Sequence, residues 1–151
     1  MGIGSTAIFP WRQAYSVGIL KIDNQHKGLV RLINSLQKAM MEGTGKQDLS
    51  SIIDHLVRYT EIHFTFEEAM LKQRGYSGLA EHKQEHEHLT RQVCELRDKF
   101  QSGKLVINMD VMRFLKNWLA NHVLVRDQAY AKELNPSDPV TRAIEPPASR
   151  S

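Results

Sequence analysis

Two pairs of possible metal ligands, each four residues apart, are the most distinctive chemical feature of the sequence. His63 and Glu67 form the first pair, and His82 and His86 form the second. Residues four apart lie on one face of an α-helix, one turn above the other, so each pair can reach a single point in space. The spacing therefore indicates that two helices contribute ligands to one metal centre.

The hydrophobic pattern predicts the four helices that would position these pairs. Apolar residues recur at three- and four-residue intervals, and glycine or proline separates the periodic stretches. The expected helices span residues 22–41, 48–74, 80–101 and 108–134. Short connections between long helices favour antiparallel neighbours. The predicted fold is therefore all-α, an up-down-up-down antiparallel four-helix bundle.

Both ends of the chain depart from the helical pattern. Residues 1–21 contain several glycines and a proline, and we expect them to form an irregular N-terminal arm. Residues 135–151 contain four of the five prolines, which predicts a flexible tail or linker. Residues 22–134 would then form the bundle as one domain.

Every predicted helix carries a polar residue that can bind a metal within its apolar stripe. These residues are His26, His63, Glu67, His82, His86 and His122. A buried polar group costs several kcal/mol unless a partner satisfies it. A shared cation would satisfy this many lone pairs together. The alternatives are a hydrogen-bonded polar layer, or helices whose inward faces differ from the predicted ones.

Asp127 does not follow from helical spacing alone. It comes five residues after His122, which places it about 140° further round an ideal helix. Either Asp127 reaches across from the flank of the stripe, or the helix has a π-type irregularity between the two residues. An uninterrupted helix would continue the inward stripe through Val125 and Ala129.

The composition of the ligand set narrows the choice of metal. Five imidazoles and two carboxylates, with no thiolate, are too many ligands for one tetrahedral zinc ion. Lys83 also stands where a zinc protease would carry its catalytic glutamate between two histidines. Seven such ligands suit two octahedral ions that share bridging carboxylates. A histidine-rich centre of this kind favours O₂ binding over O–O bond cleavage.

Charge and cysteine content exclude several other functions. The net charge of +3 is weak and dispersed, so we expect no nucleic-acid partner. The longest apolar runs are too short for membrane insertion. Cys94 is the only cysteine, which fits a reducing compartment, and the first residues lack the features of a secretory signal. We therefore expect a cytoplasmic protein.

Four motifs together resemble the signature of the hemerythrin family, in particular its single-domain bacterial form. The motifs are Asp23-x-Gln25-His26, His63-Phe64-x-x-Glu67-Glu68, His82-x-x-x-His86 and Trp118-Leu119-x-x-His122-x-x-x-x-Asp127. The resemblance covers roughly residues 11–134. It implies a four-helix bundle that holds two iron ions.

The resemblance also implies a role for each ligand. Glu67 and Asp127 would bridge the two irons together with an oxo or hydroxo group. One iron would be completed by His82, His86 and His122. The other would be held by His26 and His63 and would keep a position open for O₂. Phe64, Trp118 and Leu119 would line the O₂ pocket.

The implied function is reversible O₂ binding for carriage, storage or delivery, without enzymatic activity. The alternative is a sensory input domain, in which O₂, NO or the redox state of the irons signals to a partner or an output domain. A peroxidase or NO-reducing enzyme and a metal-free structural bundle are the two remaining hypotheses.

Other polar residues near these motifs are expected to be structural. Glu68 and Glu85 are interpreted as charges on the helix surface in preference to the alternative, that they are hydrogen-bond partners behind the ligands. Tyr59 lies one turn before the first ligand pair, and core packing is its predicted role. His55 and His88 fall outside the apolar stripes and are expected to be solvated.

Overall fold

The structure, a computed structural model, describes residues 7–134 apart from the side chain of Leu124. Its elements are a 3₁₀ turn (Gln13–Tyr15), α1 (Leu20–Met41), α2 (Lys46–Gln73), α3 (Leu79–Gln101), α4 (Met109–Asn121), a π-helical segment (His122–Arg126) and α5 (Asp127–Leu134). Helix α1 packs against α2 and α4, and α2 packs against α3. The predicted all-α bundle is confirmed. The predicted tail, residues 135–151, lies outside the described residues.

Helix α1 begins two residues before the predicted start, at Leu20. The Asp23 carboxylate accepts hydrogen bonds from the Ser16 hydroxyl and from the Val17 N–H, the latter at 2.9 Å. These bonds tie the irregular arm to the first turn of the helix and extend that turn towards the N-terminus. The other predicted helix ends also agree with the structure to within two residues. None of the described helices combines the length and apolarity that crossing a membrane requires.

Tight turns connect the first three helices. Gly43 follows α1 with a φ of 71°, and the Thr44 N–H donates to the Ala39 carbonyl at 3.0 Å. This left-handed glycine and its long backward bond end the helix and reverse the chain within a few residues. Gly75 and Gly103 repeat the arrangement after α2 and α3. Neighbouring helices in the chain are therefore antiparallel.

A layer of polar residues divides the hydrophobic interior into two parts. The larger part, called the large core, includes Leu29, Ile33, Leu56, Leu89, Val93, Leu115, Trp118 and Leu119. The smaller part, called the small core, consists of Val17, Ile22, Met70, Leu71, Tyr130 and Ala131 with partly buried neighbours. In each of α1, α2 and the C-terminal helical segments, metal-competent residues separate the positions in the two cores.

The C-terminal helical segments depart from an ideal α-helix where the sequence left two possibilities open. The predicted π-type irregularity is confirmed, because residues from His122 to Arg126 are π-helical. A π turn holds one residue more than an α turn, so the inward face shifts by one position. The predicted continuation of the stripe is consequently wrong: Val125 is 60% exposed and Ala129 is exposed, whereas Asp127 and Tyr130 are buried.

Candidate metal centre

All seven predicted ligands lie in the polar layer, and none of their side chains is more than 4% exposed. Their ligand atoms form two groups, and within each group all atoms lie within 4.8 Å of one another. One group contains His26, His63, Glu67, His122 and Asp127, and the other contains Glu67, His82, His86, His122 and Asp127. The two carboxylates and His122 belong to both groups.

Each carboxylate presents one oxygen to each group. Glu67 Oε1 lies 3.0 Å from His82 Nε2 and 2.8 Å from His86 Nε2. Glu67 Oε2 instead faces His26 Nε2 at 3.8 Å and His63 Nε2 at 3.7 Å. A carboxylate that is shared in this way can bridge two cations.

Asp127 has the same arrangement on the other side of the centre. Its Oδ1 lies 3.0 Å from His82 Nε2, while its Oδ2 lies 2.8 Å from His26 Nε2. His122, which belongs to both groups, places its Nε2 3.0 Å from Asp127 Oδ2 and 3.5 Å from Glu67 Oε1. The π segment makes this possible, because it turns His122 and Asp127 towards the same face of the bundle. The pairs on α2 and α3 meet the centre through ordinary α-helical spacing, as the sequence predicts.

Many of these converging atoms lack hydrogen-bond partners within residues 7–134. They include Nε2 of His26, His63, His86 and His122 and both carboxylate oxygens of Asp127. These atoms lie within 4.8 Å of other ligand atoms, but they are not aligned for hydrogen bonds with them. His82 Nε2 and Glu67 Oε1, which are 3.0 Å apart, do form a hydrogen bond. A buried polar atom without a partner is costly. The donor set therefore fits metal cations better than it fits a hydrogen-bonded polar layer.

The electrostatics of the centre also favour cations. Burial opposes ionisation of Glu67 and Asp127, but the neighbouring histidines outweigh it, and the pKa of both carboxyl groups lies below its usual value. Burial would lower the pKa of His82 and His122, yet their contacts with the two carboxylates raise these pKa values to about 9 and about 10. Burial dominates at His63 and lowers its pKa to about 3. The two buried carboxylates thus draw positive charge into the centre.

Two of the histidines are oriented by partners behind them. His63 Nδ1 donates to Gln25 Oε1 at 2.6 Å, and His86 Nδ1 donates to Glu68 Oε2 at 2.7 Å. A hydrogen bond from Nδ1 leaves the Nε2 lone pair free to face the centre, as is usual for metal-binding histidines. For Glu68 the structure therefore supports the alternative, a partner behind a ligand, because its carboxylate accepts the Nδ1–H of His86.

Tyr130 is a further contact of the centre that the sequence reading missed. Its buried hydroxyl donates to Glu67 Oε2 at 2.8 Å, and burial raises the pKa of this phenol well above its usual value. A signal was available, because a π turn that brings Asp127 inward also brings Tyr130 inward, three residues further on. The predicted stripe assumed an uninterrupted α-helix and therefore did not include Tyr130.

The three predicted pocket residues are all buried beside the centre or next to it in the chain. The Phe64 ring stacks on His86 with the centroids 3.8 Å apart and the planes 4° apart. Trp118 and Leu119 belong to the large core and precede His122 by about one helical turn. The indole Nε1 of Trp118 donates to the Leu89 carbonyl at 3.0 Å, so the ring has no free polar group to attract water.

The remaining polar residues are placed as expected. Glu85 lies 3.7 Å from the exposed Arg126 guanidinium at the edge of the bundle. Tyr59 packs against the large core, and its ring lies so close to Gly28 that an added Cβ there would be 2.2 Å from the Tyr59 hydroxyl. His55 and His88 are exposed.

Comparisons with known proteins agree with this geometry. The family model for the hemerythrin HHE cation binding domain matches residues 17–134. Bacteriohemerythrin of Pseudomonas aeruginosa is 38% identical over 120 residues, which are 80% of this chain and 77% of that protein. Bacteriohemerythrin of Stenotrophomonas maltophilia is 35% identical over 128 residues, covering 85% of this chain and 82% of that protein. A crystal structure of wild-type hemerythrin is similar with a TM-score of 0.75 and 31% identity, covering 83% of this chain and 96% of that one. The chain therefore belongs to the hemerythrin family.

Proposed function

We propose that the seven buried ligands hold two iron ions and that the chain binds O₂ reversibly at this di-iron centre. The observation that carries the proposal is the sharing of the carboxylates. Glu67 and Asp127 each turn one oxygen to each of the two ligand groups. Membership of the hemerythrin family supports iron as the metal and O₂ as the ligand.

The two iron positions differ in their histidines. The first iron site would consist of His82, His86 and His122, and the second iron site would consist of His26 and His63. Glu67 and Asp127 would be shared between the two sites. The second site would have fewer protein ligands and would therefore have room for O₂. A reduced iron pair supplies the two electrons that reversible O₂ binding requires.

The side chains around the ligands exclude water from the O₂ position. The Phe64 ring stacks on His86 of the first site and lies 5.6 Å, centroid to centroid, from His63 of the second site. Trp118 and Leu119 are buried in the adjoining part of the large core. Water that reached the centre would displace bound O₂ and speed oxidation of the irons. An apolar pocket thus keeps the binding reversible.

The protein acts as a binding protein rather than an enzyme. The Tyr130 hydroxyl donates a hydrogen bond to Glu67 Oε2, and burial raises the pKa of this phenol well above its usual value, so it is a poor proton donor for catalysis. Carriage, storage or delivery of O₂ in the cytoplasm is the role that fits best, and the single free thiol at Cys94 is consistent with that compartment. Stoichiometric binding of O₂, without turnover of peroxide or NO, is the expected behaviour.

The contacts of one side chain, Gln128, favour the sensory alternative. The side-chain amide of Gln128, next to Asp127, lies 3.2–3.4 Å from the carbonyl oxygens of Ala14, Tyr15 and Ser16. A shift of Asp127 on ligand binding would therefore reach the N-terminal arm. Hydrogen exchange that changes in residues 7–19 between the reduced and O₂-bound protein would favour a sensor, and unchanged exchange would favour a carrier.

An optical experiment tests the main proposal. The iron-loaded protein is reduced under anaerobic conditions and then exposed to air. A visible charge-transfer band should appear with air and disappear when O₂ is removed, with two irons present per chain. The variant His26→Ala, which alters the second iron site, should lose the band. A band that neither appears nor reverses would contradict the proposal.

A further inference from the structure

The two iron sites differ in the groups that stand behind their histidines. In the first site, the Glu68 carboxylate accepts the Nδ1–H of His86 at 2.7 Å. In the second site, the neutral Gln25 amide oxygen accepts the Nδ1–H of His63 at 2.6 Å. The two hydrogen bonds have nearly the same length, so charge is the main difference between them.

A charged hydrogen-bond acceptor increases the metal-binding strength of a histidine more than a neutral acceptor does. Hydrogen bonds to a carboxylate are about twice as strong as those between neutral groups. A carboxylate behind an imidazole also raises the basicity of its other nitrogen, which is the one that binds the metal. Because Glu68 backs His86, the Nε2 of His86 is a stronger metal ligand than the Nε2 of His63.

The Tyr130 hydroxyl further increases the difference in ligand strength between the two sites, because it weakens a ligand of the second site. It donates at 2.8 Å to Glu67 Oε2, which is the oxygen that faces His26 and His63. A donor on this oxygen withdraws electron density from the second site. Glu67 Oε1, which faces the first site, has no such donor from Tyr130.

We propose that Glu68 is a positioning residue that makes the first iron site hold its metal more tightly than the second. The inference rests on the proposed function, because it assigns one iron to each site. The first site has one more histidine, so some difference in affinity is expected from ligand number alone. The contribution of Glu68 comes in addition and can be removed without touching a ligand.

The surroundings of Glu68 provide a matched control. Glu68 lines an open cleft of about 360 Å³ between α2 and α3, together with Phe64, His86 and Glu87. Glu87 lies in the same cleft and on the same helix as His86, but its side chain is exposed and makes none of the described hydrogen bonds to the centre. Glu87→Gln removes the same charge as Glu68→Gln and leaves the support of His86 intact.

The test measures the release of iron from the loaded protein. Reduced protein is mixed anaerobically with an excess of a coloured ferrous chelator, and the absorbance of the complex is followed with time. The wild type should release its irons in two phases of equal amplitude. Glu68→Gln should accelerate the slow phase by about 10- to 100-fold, the usual effect of losing such a partner, and leave the fast phase unchanged.

A variant with the opposite change, from an amide to a carboxylate, excludes general misfolding as the cause of faster iron release. Gln25→Glu places a carboxylate behind His63 and should slow the fast phase, a gain that misfolding cannot produce. Glu87→Gln should leave both phases at their wild-type rates. Release in a single phase by the wild type, or equal acceleration of both phases by Glu68→Gln, would overturn the inference. Protein that binds no iron pair would overturn the proposed function, and protein that binds two irons but does not respond to Glu68→Gln would overturn only this inference.

Discussion

The large core and the small core lie on either side of the metal centre, and they are built from different kinds of chain segment. The large core is built from continuous apolar stripes on helices joined by tight turns. The small core depends on an irregular arm, through Val17, and on residues that reach the interior only after the π segment, such as Tyr130. The large core therefore supplies most of the folding stability, and the small core holds Tyr130, which supports the ligand Glu67.

Removing a shared ligand should have the largest effect and should separate the two regions most clearly. Glu67→Gln takes away a negative charge that both iron sites use, and we expect loss of the iron pair and of the visible band. Because the large core does not need the metal, the helical circular dichroism should remain.

The measurement is the number of irons per chain beside the circular dichroism spectrum. Glu61→Gln, at an exposed position of the same helix, serves as the control and should keep both irons. Two tightly bound irons in Glu67→Gln would contradict the bridging role of Glu67.

A pair of identical substitutions on α2 compares the two cores directly. Leu56 lies in the large core and Leu71 in the small core, and both are fully buried. Replacing either by Ala should lower the free energy of unfolding by about 2–5 kcal/mol. Iron release should be faster in Leu71→Ala, because the small core packs behind Tyr130 and Asp127. Denaturant unfolding and chelator-driven release measure the two quantities, and equal release rates would mean that the cores support the centre equally.

The support given by the small core can be tested at a single hydroxyl group. Tyr130→Phe keeps the buried ring and removes only the hydrogen bond to Glu67. Hydrogen bonds to charged groups contribute about 1.5–3 kcal/mol, so we expect the stability of the loaded protein to fall by about that amount. Thermal unfolding of the iron-loaded protein checks this, with Tyr59→Phe as a control for a tyrosine that packs against the large core.

The large core contributes the apolar residues of the predicted O₂ pocket, whereas the small core contributes a hydrogen bond to a ligand. Leu119→Ala or Leu119→Ser should open a path for water and accelerate autoxidation. About a tenfold increase corresponds to a barrier lower by about 1.4 kcal/mol. The iron content should stay unchanged, in contrast to Leu71→Ala. An unchanged lifetime of the O₂-bound form would count against Leu119 as a pocket residue.

The sequence predicted the large core and the ligands better than it predicted the small core. Periodic stripes determine which residues of α1, α2 and α3 face inward, and His26 and the pairs on α2 and α3 follow from them. Asp127 was identified only through the family resemblance, since an ideal helix would point it aside. Tyr130 was missed for the same reason. Gln25 and Glu68 carry no periodic signal, because their role depends on which histidine of a neighbouring helix lies opposite them.

The π segment, which caused these errors, leads to the prediction with the smallest expected effect. In a π turn residues five apart share a face, and in an α turn residues four apart do so. Deleting the exposed residue Val125 would leave His122 and the present Asp127 four apart, and an ordinary α-helix would then direct both side chains inward. We therefore expect this deletion to preserve two irons per chain and both cores.

Deletion of Asn117 is the matched control. Asn117 is also exposed, but it lies in the α-helical part of the same helical run. Its loss would rotate every residue on one side by about 100° relative to the other, so iron binding should be abolished. Iron content and the visible band distinguish the two deletions. Loss of iron from the Val125 deletion would mean that the π conformation itself, and not only the direction in which it points Asp127, is required to bind the metal.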